Sequence, residues 1–599
     1  PGGAAVSVTT TVPGQNAVVS FPAGAGQRVA VQLSGGTFGS SEAAVTLRRP
    51  DGSTVVSNTS CGTSCFLDTA ALPVAGTYTV LVDPKGTVVG AITVKVHAVP
   101  ADTTASTTPG GAAVSVTTTV PGQNAVVSFP AGAGQRVAVQ LSGGTFGSSE
   151  AAVTLRRPDG GTVVSNTSCG TSCFLDTTTL PVDGTYTLLV DPRTTAVGTL
   201  TARVYAVPAD TTASTTPGGA AVSVTTTVPG QNAVVSFPGT AGQVVTVSLT
   251  AGAFGGGSVT ATLRAPNGST VNSSSCTTSC SFSSVPLTTT GTWTVLVDPA
   301  AAAVGSLTTQ VFDVPVDATV STTPGGDPVT VTTVSPGQNA VVTFPGTAGQ
   351  RILVQGSGGT YGTYNATAII RKPDGSNLTG STYCGATCLF DTTVLPVTGT
   401  YSILIDPAST YTGALTVRVH DVPADVTADT APGGAGVTLT TTAPGQNAVL
   451  SFTGAAGQRI VVQGTGGTYG TYNATAIIRK PDGSNLTGST YCGATCFFDT
   501  TTLPVAGTYS ILLNPDALYT GAVTLRVHDV PTDATVGATV GGPAVAVTTS
   551  APGQNAVLSF TGTAGQRIVV QGTGGTYGTY NATAIVRKPD GSNLTGSAY

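Results

Sequence analysis

Short runs of alternating apolar and polar residues fill this chain from end to end. In "TYTVLVD", Tyr78, Val80 and Val82 fall on one face of an extended strand, and Thr77, Thr79 and Leu81 fall on the other. Turn signals such as "VPGQ", "RPDG" and "DPKG" separate these runs. No stretch has the 3.6-residue period of an amphipathic helix. The pattern therefore predicts an all-β protein.

The first repeat-sized segment is predicted to contain about eight short strands in roughly 100 residues, which is typical of an antiparallel β-sandwich, either jelly-roll or immunoglobulin-like. The predicted strands are Ala5–Val12, Asn16–Phe21, Gln27–Ser34, Ala43–Arg48, Thr54–Ser57, Cys65–Thr69, Thr77–Asp83 and Ala91–Ala98. Tyr78, in "AGTYTV", resembles the tyrosine corner of immunoglobulin-like sandwiches, which implies that its hydroxyl bonds back to the backbone. The same position is occupied by Tyr186, Trp293, Tyr401 and Tyr509.

The pattern repeats. The opening segment "PGGAAVSVTTTVPGQNAVVSF" returns at 109–129, and the first cysteines of successive pairs are 108, 107, 108 and 108 residues apart. This period is longer than the 20–50 residues of solenoid repeats, so we expect a tandem array of domain-sized units. The predicted units are repeat 1 (1–108), repeat 2 (109–216), repeat 3 (217–323), repeat 4 (324–431), repeat 5 (432–540) and a truncated repeat 6 (541–599). Because the chain ends in "LTGSAY", where repeats 4 and 5 read "LTGSTYC", we expect the array to continue.

The composition argues against some classes of function. Charged residues make up 8% of the 599 residues and the net charge is −5, which argues against nucleic acid as a partner. Apolar residues make up 40%, enough to form packed cores. No apolar run approaches the length of a membrane span, so we expect no membrane insertion within this segment. A solvent face of Thr, Ser, Asn and Gly lacks self-repulsion and suits packing of copies or glycosylation at sequons such as Asn58-Thr-Ser.

Each complete repeat carries one Cys-x-x-x-Cys pair in a β context. Redox pairs are usually Cys-x-x-Cys at a helix start, and a zinc site needs four ligands, so a local disulfide is favoured over free thiols, metal or redox chemistry. A disulfide implies an oxidising compartment, hence a secreted or cell-surface protein. The predicted disulfide cysteines are Cys61, Cys65, Cys169, Cys173, Cys276, Cys280, Cys384, Cys388, Cys492 and Cys496.

Catalytic chemistry finds little support in the chain. The histidines His97, His420 and His528 occupy a position that is Tyr205 or Phe312 in other repeats, as expected for aromatic packing. No paired catalytic carboxylates or triad motif stands out, so we expect no enzyme and no cofactor. One aspartate recurs in every linker, and calcium at these linkers stays open as an alternative, although calcium prefers six to eight oxygens. The linker aspartates are Asp102, Asp210, Asp317, Asp425 and Asp533.

Repeats 4 to 6 differ from repeats 1 to 3 by loop tyrosines in "TYGTYNATA", with further tyrosines beside the cysteine loop at Tyr383, Tyr491 and Tyr599. Tyrosines are enriched at interfaces, so these side chains either pack their own loops or contact neighbouring chains or glycans. The candidate interface or glycan-contact residues are Tyr361, Tyr364, Tyr469, Tyr472, Tyr577 and Tyr580.

The layout "NAVVSF…AGQRVAVQLSGG…AAVTLRRPDGSTV…LPVAGTYTVLVDP…GAITVKVH" is similar to the bacterial pre-peptidase C-terminal domain, and resembles tandem repeats of large bacterial surface proteins. The resemblance implies a secreted jelly-roll module with an accessory or structural role. We therefore predict an extracellular structural protein that forms or extends a bacterial surface filament, sheath or stalk. The alternative is an adhesin or glycan-binding array. The strand nearest each linker is a candidate for addition to a neighbouring sheet edge.

Overall fold

We describe a computed structural model of the protein, which defines residues 1–40, 42–147, 150–255, 257–578 and 581–599. Every regular element in these ranges is a β-strand. Among the residues that the structure describes, repeats 1 to 5 contain nine strands each.

In repeat 1 the strands are β1 (Val6–Thr10), β2 (Ala17–Ala23), β3 (Arg28–Ser34), β4 (Ala43–Arg48), β5 (Thr54–Asn58), β6 (Cys65–Ala71), β7 (Gly76–Pro84), β8 (Gly90–Val99) and β9 (Thr103–Ser106). Repeat 2 contains β10 (Val114–Thr118), β11 (Ala125–Ala131), β12 (Arg136–Ser142), β13 (Ala151–Arg156), β14 (Thr162–Asn166), β15 (Cys173–Thr179), β16 (Gly184–Pro192), β17 (Gly198–Ala206) and β18 (Thr211–Ser214). Repeat 3 contains β19 (Val222–Thr226), β20 (Ala233–Gly239), β21 (Val244–Ala253), β22 (Val259–Arg264), β23 (Thr270–Cys276), β24 (Cys280–Pro286), β25 (Gly291–Pro299), β26 (Gly305–Asp313) and β27 (Ala318–Ser321).

Repeat 4 contains β28 (Val329–Thr333), β29 (Ala340–Gly346), β30 (Arg351–Ser357), β31 (Ala366–Arg371), β32 (Thr382–Tyr383), β33 (Cys388–Val394), β34 (Gly399–Pro407), β35 (Gly413–Val422) and β36 (Val426–Thr430). Repeat 5 contains β37 (Val437–Thr441), β38 (Ala448–Gly454), β39 (Arg459–Thr465), β40 (Ala474–Arg479), β41 (Thr490–Tyr491), β42 (Cys496–Thr502), β43 (Gly507–Pro515), β44 (Gly521–Asp529) and β45 (Ala534–Ala538). Residues 541–599 contain β46 (Ala556–Phe560).

The strands of each complete repeat form two sheets. In repeat 1 the orders are β1-β8-β3-β6 and β2-β7-β4-β5, and every neighbouring pair is antiparallel. The same orders recur in repeats 2 to 5. Both sheets join strands from the two halves of a repeat. Residues 541–599 hold only the first half, and β46 pairs instead with β45.

The two sheets of a repeat share one hydrophobic core. In repeat 2, Phe129 and Leu155 from one sheet and Val139 and Val204 from the other belong to one cluster and are at most 1% exposed. Burial of one such side chain contributes about 1.5–3 kcal/mol. The alternating pattern read from the sequence thus separates core positions from solvent positions.

The seventh strand is anchored by the predicted tyrosine contact. The Tyr78 hydroxyl donates to the Val74 carbonyl at 2.8 Å, and the Tyr401 hydroxyl donates to the Val397 carbonyl at 2.7 Å. In repeat 3 the indole Nε1 of Trp293 donates to the Thr289 carbonyl at 3.1 Å. The bond to the backbone is confirmed, and tryptophan keeps it because its ring nitrogen is a donor.

The linker contains a ninth strand that the pattern did not predict. Strand β9 pairs in parallel with β11 of repeat 2, with Thr103 opposite Ala125, and β18, β27, β36 and β45 do the same at later junctions. The linker strand therefore joins the sheet edge of the next repeat, whereas the strand-addition hypothesis concerned the predicted strand nearest the linker. The four-residue segment "TTAS" has too few apolar residues to show a strand pattern of its own.

The prediction of a tandem array of antiparallel β-sandwich domains, jelly-roll or immunoglobulin-like, is therefore wrong. One of the two sheets in each of repeats 2 to 5 is mixed, because it contains a parallel strand that comes from the preceding repeat. The repeats stack in hydrogen-bonded contact along the chain, so each one is coupled to its neighbours as the coils of a solenoid are. The architecture is a continuous all-β stack.

The stack has a large accessible surface for its mass. Its accessible surface is 27617 Å² for 58.6 kDa, whereas a compact monomer of this mass has roughly 19,000 Å². The excess is what a chain of repeats in end-to-end contact is expected to have.

Candidate functional site: repeat junctions and exposed tyrosine pairs

Each junction is built around the "PGQ" turn of the next repeat. Gly445 of repeat 5 has a φ of 79°, and its carbonyl accepts a hydrogen bond from the Thr392 hydroxyl of repeat 4 at 3.1 Å. A Cβ at Gly445 would lie against Thr392, Leu353 and Val422, all of repeat 4. The glycine is therefore required both by its left-handed backbone and by the close approach of the two repeats.

The contact lies at a bulge in the preceding repeat. In repeat 4 the register between β30 and β33 shifts between Ile352 and Val354, and Leu353 is the residue between them. Equivalent shifts occur in the other complete repeats. A bulge redirects the local backbone, and here the turn of the following repeat packs against it.

The glutamine of "PGQ" fixes the linker. Gln446 Nε2 donates to the Ala424 carbonyl at 2.8 Å, while its Oε1 accepts from the Thr442 amide at 2.9 Å. Gln123, Gln231 and Gln338 make the same bond to linker carbonyls at 2.8–2.9 Å. Sequence reasoning read "PGQ" as a turn alone and missed this role.

An ion pair closes the junction. Arg351 Nη1 lies 2.7 Å from Asp425 Oδ1 and donates to the Pro423 carbonyl at 3.3 Å. Asp425 also accepts from the Asn447 amide of repeat 5 at 3.3 Å, so one carboxylate connects three segments. The other pairs of this kind are Arg28–Asp102, Arg136–Asp210 and Arg459–Asp533.

The junction between repeats 3 and 4 differs. Val244 stands where the other repeats have arginine, so Asp317 has no such partner. This junction keeps the hydroxyl-to-glycine bond of the others, with the Ser284 hydroxyl donating to the Gly337 carbonyl at 2.6 Å, and adds a hydrogen bond of 3.0 Å between Ser281 and Ser409.

These ion pairs involve the same aspartates that were considered for calcium binding at the linkers. Four of the five linker carboxylates already face a guanidinium. Over the described ranges, no group of three or more His, Cys, Asp or Glu side chains is arranged to hold a metal ion.

The cysteines form five disulfides, each between the two members of one predicted pair. The amide of Cys384 donates to the Ala366 carbonyl at 2.8 Å, which ties the disulfide loop to β31. Disulfides persist in oxidising compartments, which indicates a secreted or cell-surface protein. Within the described ranges no helix is long and apolar enough to span a membrane.

The histidines have structural partners. His97 Nε2 lies 3.0 Å from Gln32 Oε1, and the Tyr205 hydroxyl donates to Gln140 Oε1 at 2.6 Å at the equivalent position of repeat 2. Burial lowers the pKa of His97, and the charge of Lys95 lowers it further.

The candidate tyrosines divide into two groups. Tyr361 and Tyr469 are 2% exposed and lie in the cores, where their hydroxyls bond to Thr333 at 3.3 Å and to Thr441 at 3.0 Å. They are packing residues. Tyr364 and Tyr472 are 72% and 70% exposed.

In repeat 6, Tyr577 is 43% exposed and lies 3.3 Å from the Thr549 hydroxyl. Tyr580 lies outside the described residues.

The exposed tyrosines form pairs that the sequence did not reveal. Tyr364 packs edge-on against Tyr383, with ring centroids 5.3 Å apart and planes at 90°. Tyr472 and Tyr491 repeat this arrangement at 5.2 Å and 87°. Tyr383 and Tyr491 are themselves 57% and 55% exposed. The sequence held one signal for this pairing: the loop tyrosine and the tyrosine before the cysteine pair are separated by the same number of residues in repeats 4 and 5.

A row of polar side chains extends from each pair across the sheet. In repeat 4, Thr367 lies opposite Tyr383 on one side and opposite Asp406 on the other. In repeat 5 the row is Tyr491, Thr475 and Asn514. Desolvation raises the pKa of Asp406, and the charge of Asp317 raises it further while Arg371 lowers it.

Comparison with known proteins adds little. No protein-family model matches the chain, so the resemblance to the pre-peptidase C-terminal domain is not supported and that prediction is withdrawn. No curated protein matches either.

Among solved structures, one similarity is to SGBP-B of the mixed-linkage glucan utilization locus of Bacteroides ovatus, in complex with a mixed-linkage heptasaccharide. It has 12% identity, a TM-score of 0.10, and covers 71% of this chain and 96% of that one. Another is to the arabinofuranosyltransferase AftD from Mycobacteria, with 10% identity and a TM-score of 0.13, covering 83% of this chain and 39% of that one. Both scores are too low to support an argument about fold or function.

Proposed function

We propose that the chain is an extracellular stalk or spacer, in which stacked repeats hold other parts of a secreted or cell-surface protein at a distance. The observation that carries this proposal is the junction. A parallel strand pair, a glycine turn packed on a bulge and a glutamine bond recur between successive repeats. Such junctions restrict the angle between neighbours, whereas a flexible linker does not.

The disulfides support the same role. Each one lies next to the strand that carries the bulge contact, as with Cys388 and β33. A disulfide at this position keeps the surface that contacts the next repeat intact when the stack is under mechanical tension. It also suits the oxidising exterior in which a stalk would work.

Small-angle X-ray scattering of the full chain tests the stalk. A compact body of this length would have a radius of gyration of about 25 Å, and we expect a value at least about twice that for a stiff stack. A value near that of a compact body, or a scattering curve of a flexible chain, would contradict the proposal.

Association of copies into a filament or sheath remains a prediction. Sedimentation across a range of concentrations, followed by electron microscopy, tests it: ordered fibres would support side-by-side packing, and dispersed rods would oppose it.

A second role, adhesion through glycan binding, is favoured by a separate observation, the exposed tyrosine pairs of repeats 4 and 5. A stalk that also binds glycans would need no change to the junctions.

A further inference from the structure

The tyrosine pairs are exposed although they are held in fixed positions. The amide of Tyr361, three residues before Tyr364, donates to the Gly385 carbonyl at 3.1 Å, and the side chain of Asn365 donates to the Tyr361 carbonyl at 3.1 Å. The amide of Ala408 in the next turn donates to the Asn365 carbonyl at 2.8 Å. The loop is therefore pinned on both sides of Tyr364, and the exposed ring loses little freedom when a ligand binds.

The second ring is fixed by the sheet. Tyr383 belongs to β32, which pairs with β31, and the disulfide Cys384–Cys388 follows it directly. Repeat 5 has the same supports, with Asn473 donating to the Tyr469 carbonyl at 2.9 Å and the Cys492–Cys496 disulfide after Tyr491. Repeats 4 and 5 share the sequence "GGTYGTYNATAIIRKPDGSNLTGSTYCGATC", so each carries the same supported pair of rings.

The polar row gives this surface hydrogen-bonding capacity. Strands lie about 4.8 Å apart, so the row from Tyr383 through Thr367 to Asp406 spans about 10 Å. A hydroxyl both donates and accepts, and a carboxylate accepts strong hydrogen bonds from hydroxyl groups. One end of the surface is thus an aromatic platform and the other end is polar.

We propose that the two tyrosine pairs, each with its polar row, are binding sites for neutral hexopyranose glycans. A sugar ring has an apolar face of C–H groups that packs on an aromatic ring and a rim of hydroxyls that the threonine and the carboxylate or amide can bind. Each site consists of two rings and two polar side chains, whereas a stable protein interface takes about 20–30 residues on each side. This inference rests on the proposed extracellular location, where glycans are accessible.

Charge restricts the ligand further. Asp406 gives the repeat 4 site a carboxylate, which would repel the carboxylates of uronic acids, whereas repeat 5 has the neutral Asn514 at the same position. We therefore expect both sites to take neutral sugars and the repeat 4 site to discriminate more strongly against acidic ones.

Isothermal titration calorimetry on the full chain tests the sites. The probes are β-1,4-linked and β-1,3-linked glucohexaose, chitohexaose and hexagalacturonic acid. We expect at least one neutral hexasaccharide to bind with two sites per chain. Replacing Tyr364 and Tyr383 by serine should leave one site, and adding Tyr472→Ser and Tyr491→Ser should reduce the affinity by at least about tenfold or abolish it, because ring stacking is lost.

Matched variants separate binding from folding. Repeats 1 and 2 have serine at the position of Tyr383, so Ser60→Ala and Ser168→Ala should leave binding unchanged. Tyr364→Phe and Tyr383→Phe keep the rings and should weaken binding no more than about fivefold. Near-ultraviolet circular dichroism and hydrogen exchange of β31 confirm that the serine variants remain folded.

Absence of binding to every neutral probe, tighter binding of hexagalacturonic acid, or serine variants that bind like the original chain would each overturn the proposal. None of these results would alter the radius of gyration, which tests the stalk. A compact chain that still binds a neutral glycan would overturn the stalk and leave the binding sites in place.

Discussion

The arginine–aspartate pair is expected to set how often a junction opens. We consider Arg351→Val, which copies into the junction between repeats 4 and 5 the residue found naturally at Val244. The variant removes the 2.7 Å contact to Asp425 and the 3.3 Å bond to the Pro423 carbonyl. The parallel strand pair and the Gly445 contact remain.

The free-energy cost of this substitution depends on how exposed the ion pair is. The two side chains retain 23% and 30% of their accessible surface. Exposed ion pairs contribute about 0.2–1 kcal/mol, and this partly buried pair with its additional backbone bond should contribute about 1–2 kcal/mol. The opening equilibrium of the junction should therefore rise by a factor of about 5–30.

Hydrogen exchange followed by mass spectrometry measures this opening directly. Amide protons of β36 pair with β38 of the next repeat, so their exchange rate reports the open junction. We expect peptides that contain Val426–Thr430 to exchange about 5–30 times faster in Arg351→Val, with peptides from the core of repeat 4 unchanged. In the original chain, β27 should already exchange faster than β18, because its junction lacks the arginine.

The reverse substitution is the control. Val244→Arg places a guanidinium within reach of Asp317 and should slow exchange in β27, an effect that 1 M salt weakens by screening. If β36 exchanges at the same rate with and without Arg351, or if all of repeat 4 becomes unprotected, the ion pair does not act as a junction lock.

Three further changes probe single repeats. Tyr401→Phe removes the 2.7 Å bond to the Val397 carbonyl and should lower the stability of repeat 4 by about 1 kcal/mol in chemical denaturation; no change would mean that water replaces the bond without cost. Replacing Cys384 and Cys388 by serine should cost about 2 kcal/mol in the same assay, and detection of free thiols in the original chain by non-reducing mass spectrometry would contradict the disulfide. Because desolvation and the charge of Asp317 raise the pKa of Asp406, the folded chain holds this proton more tightly than the unfolded chain, and Asp406→Asn should stabilise repeat 4 at pH 7. This gain should shrink as the pH falls through the raised pKa towards the ordinary value of 3.8, and a gain independent of pH would refute the assignment.

The sequence predicted the local structure better than the assembly. Strand β4 is found at Ala43–Arg48 as expected, and β3, at Arg28–Ser34, starts one residue later than expected, since alternation and turn residues act over a few positions. The linker strand β9 was missed because its stability comes from β11 of the next repeat, which no local pattern encodes. The prediction of a tandem β-sandwich array is wrong for the same reason.

The candidate site was predicted in part for the same reason. Residue type and exposure in a loop were enough to select Tyr364, but Tyr361, three residues earlier and of the same type, is buried. The two tyrosines differ in where the loop backbone points their side chains, towards the core for Tyr361 and towards solvent for Tyr364. The pairing with Tyr383 and the row to Asp406 depend on strand register, which one sequence does not reveal.

The glycine turn and the bulge have a consequence for how the gene can change. Each complete repeat presents a bulge to the repeat after it, and repeats 3 to 6 each meet the preceding repeat with the same glycine turn. Recombination between equivalent points of two repeats would therefore place the glycine turn of one repeat against the bulge of another repeat, and the two already fit. The number of repeats can grow or shrink by whole units without compensating mutations, and each added copy of repeat 4 or 5 would bring another tyrosine pair.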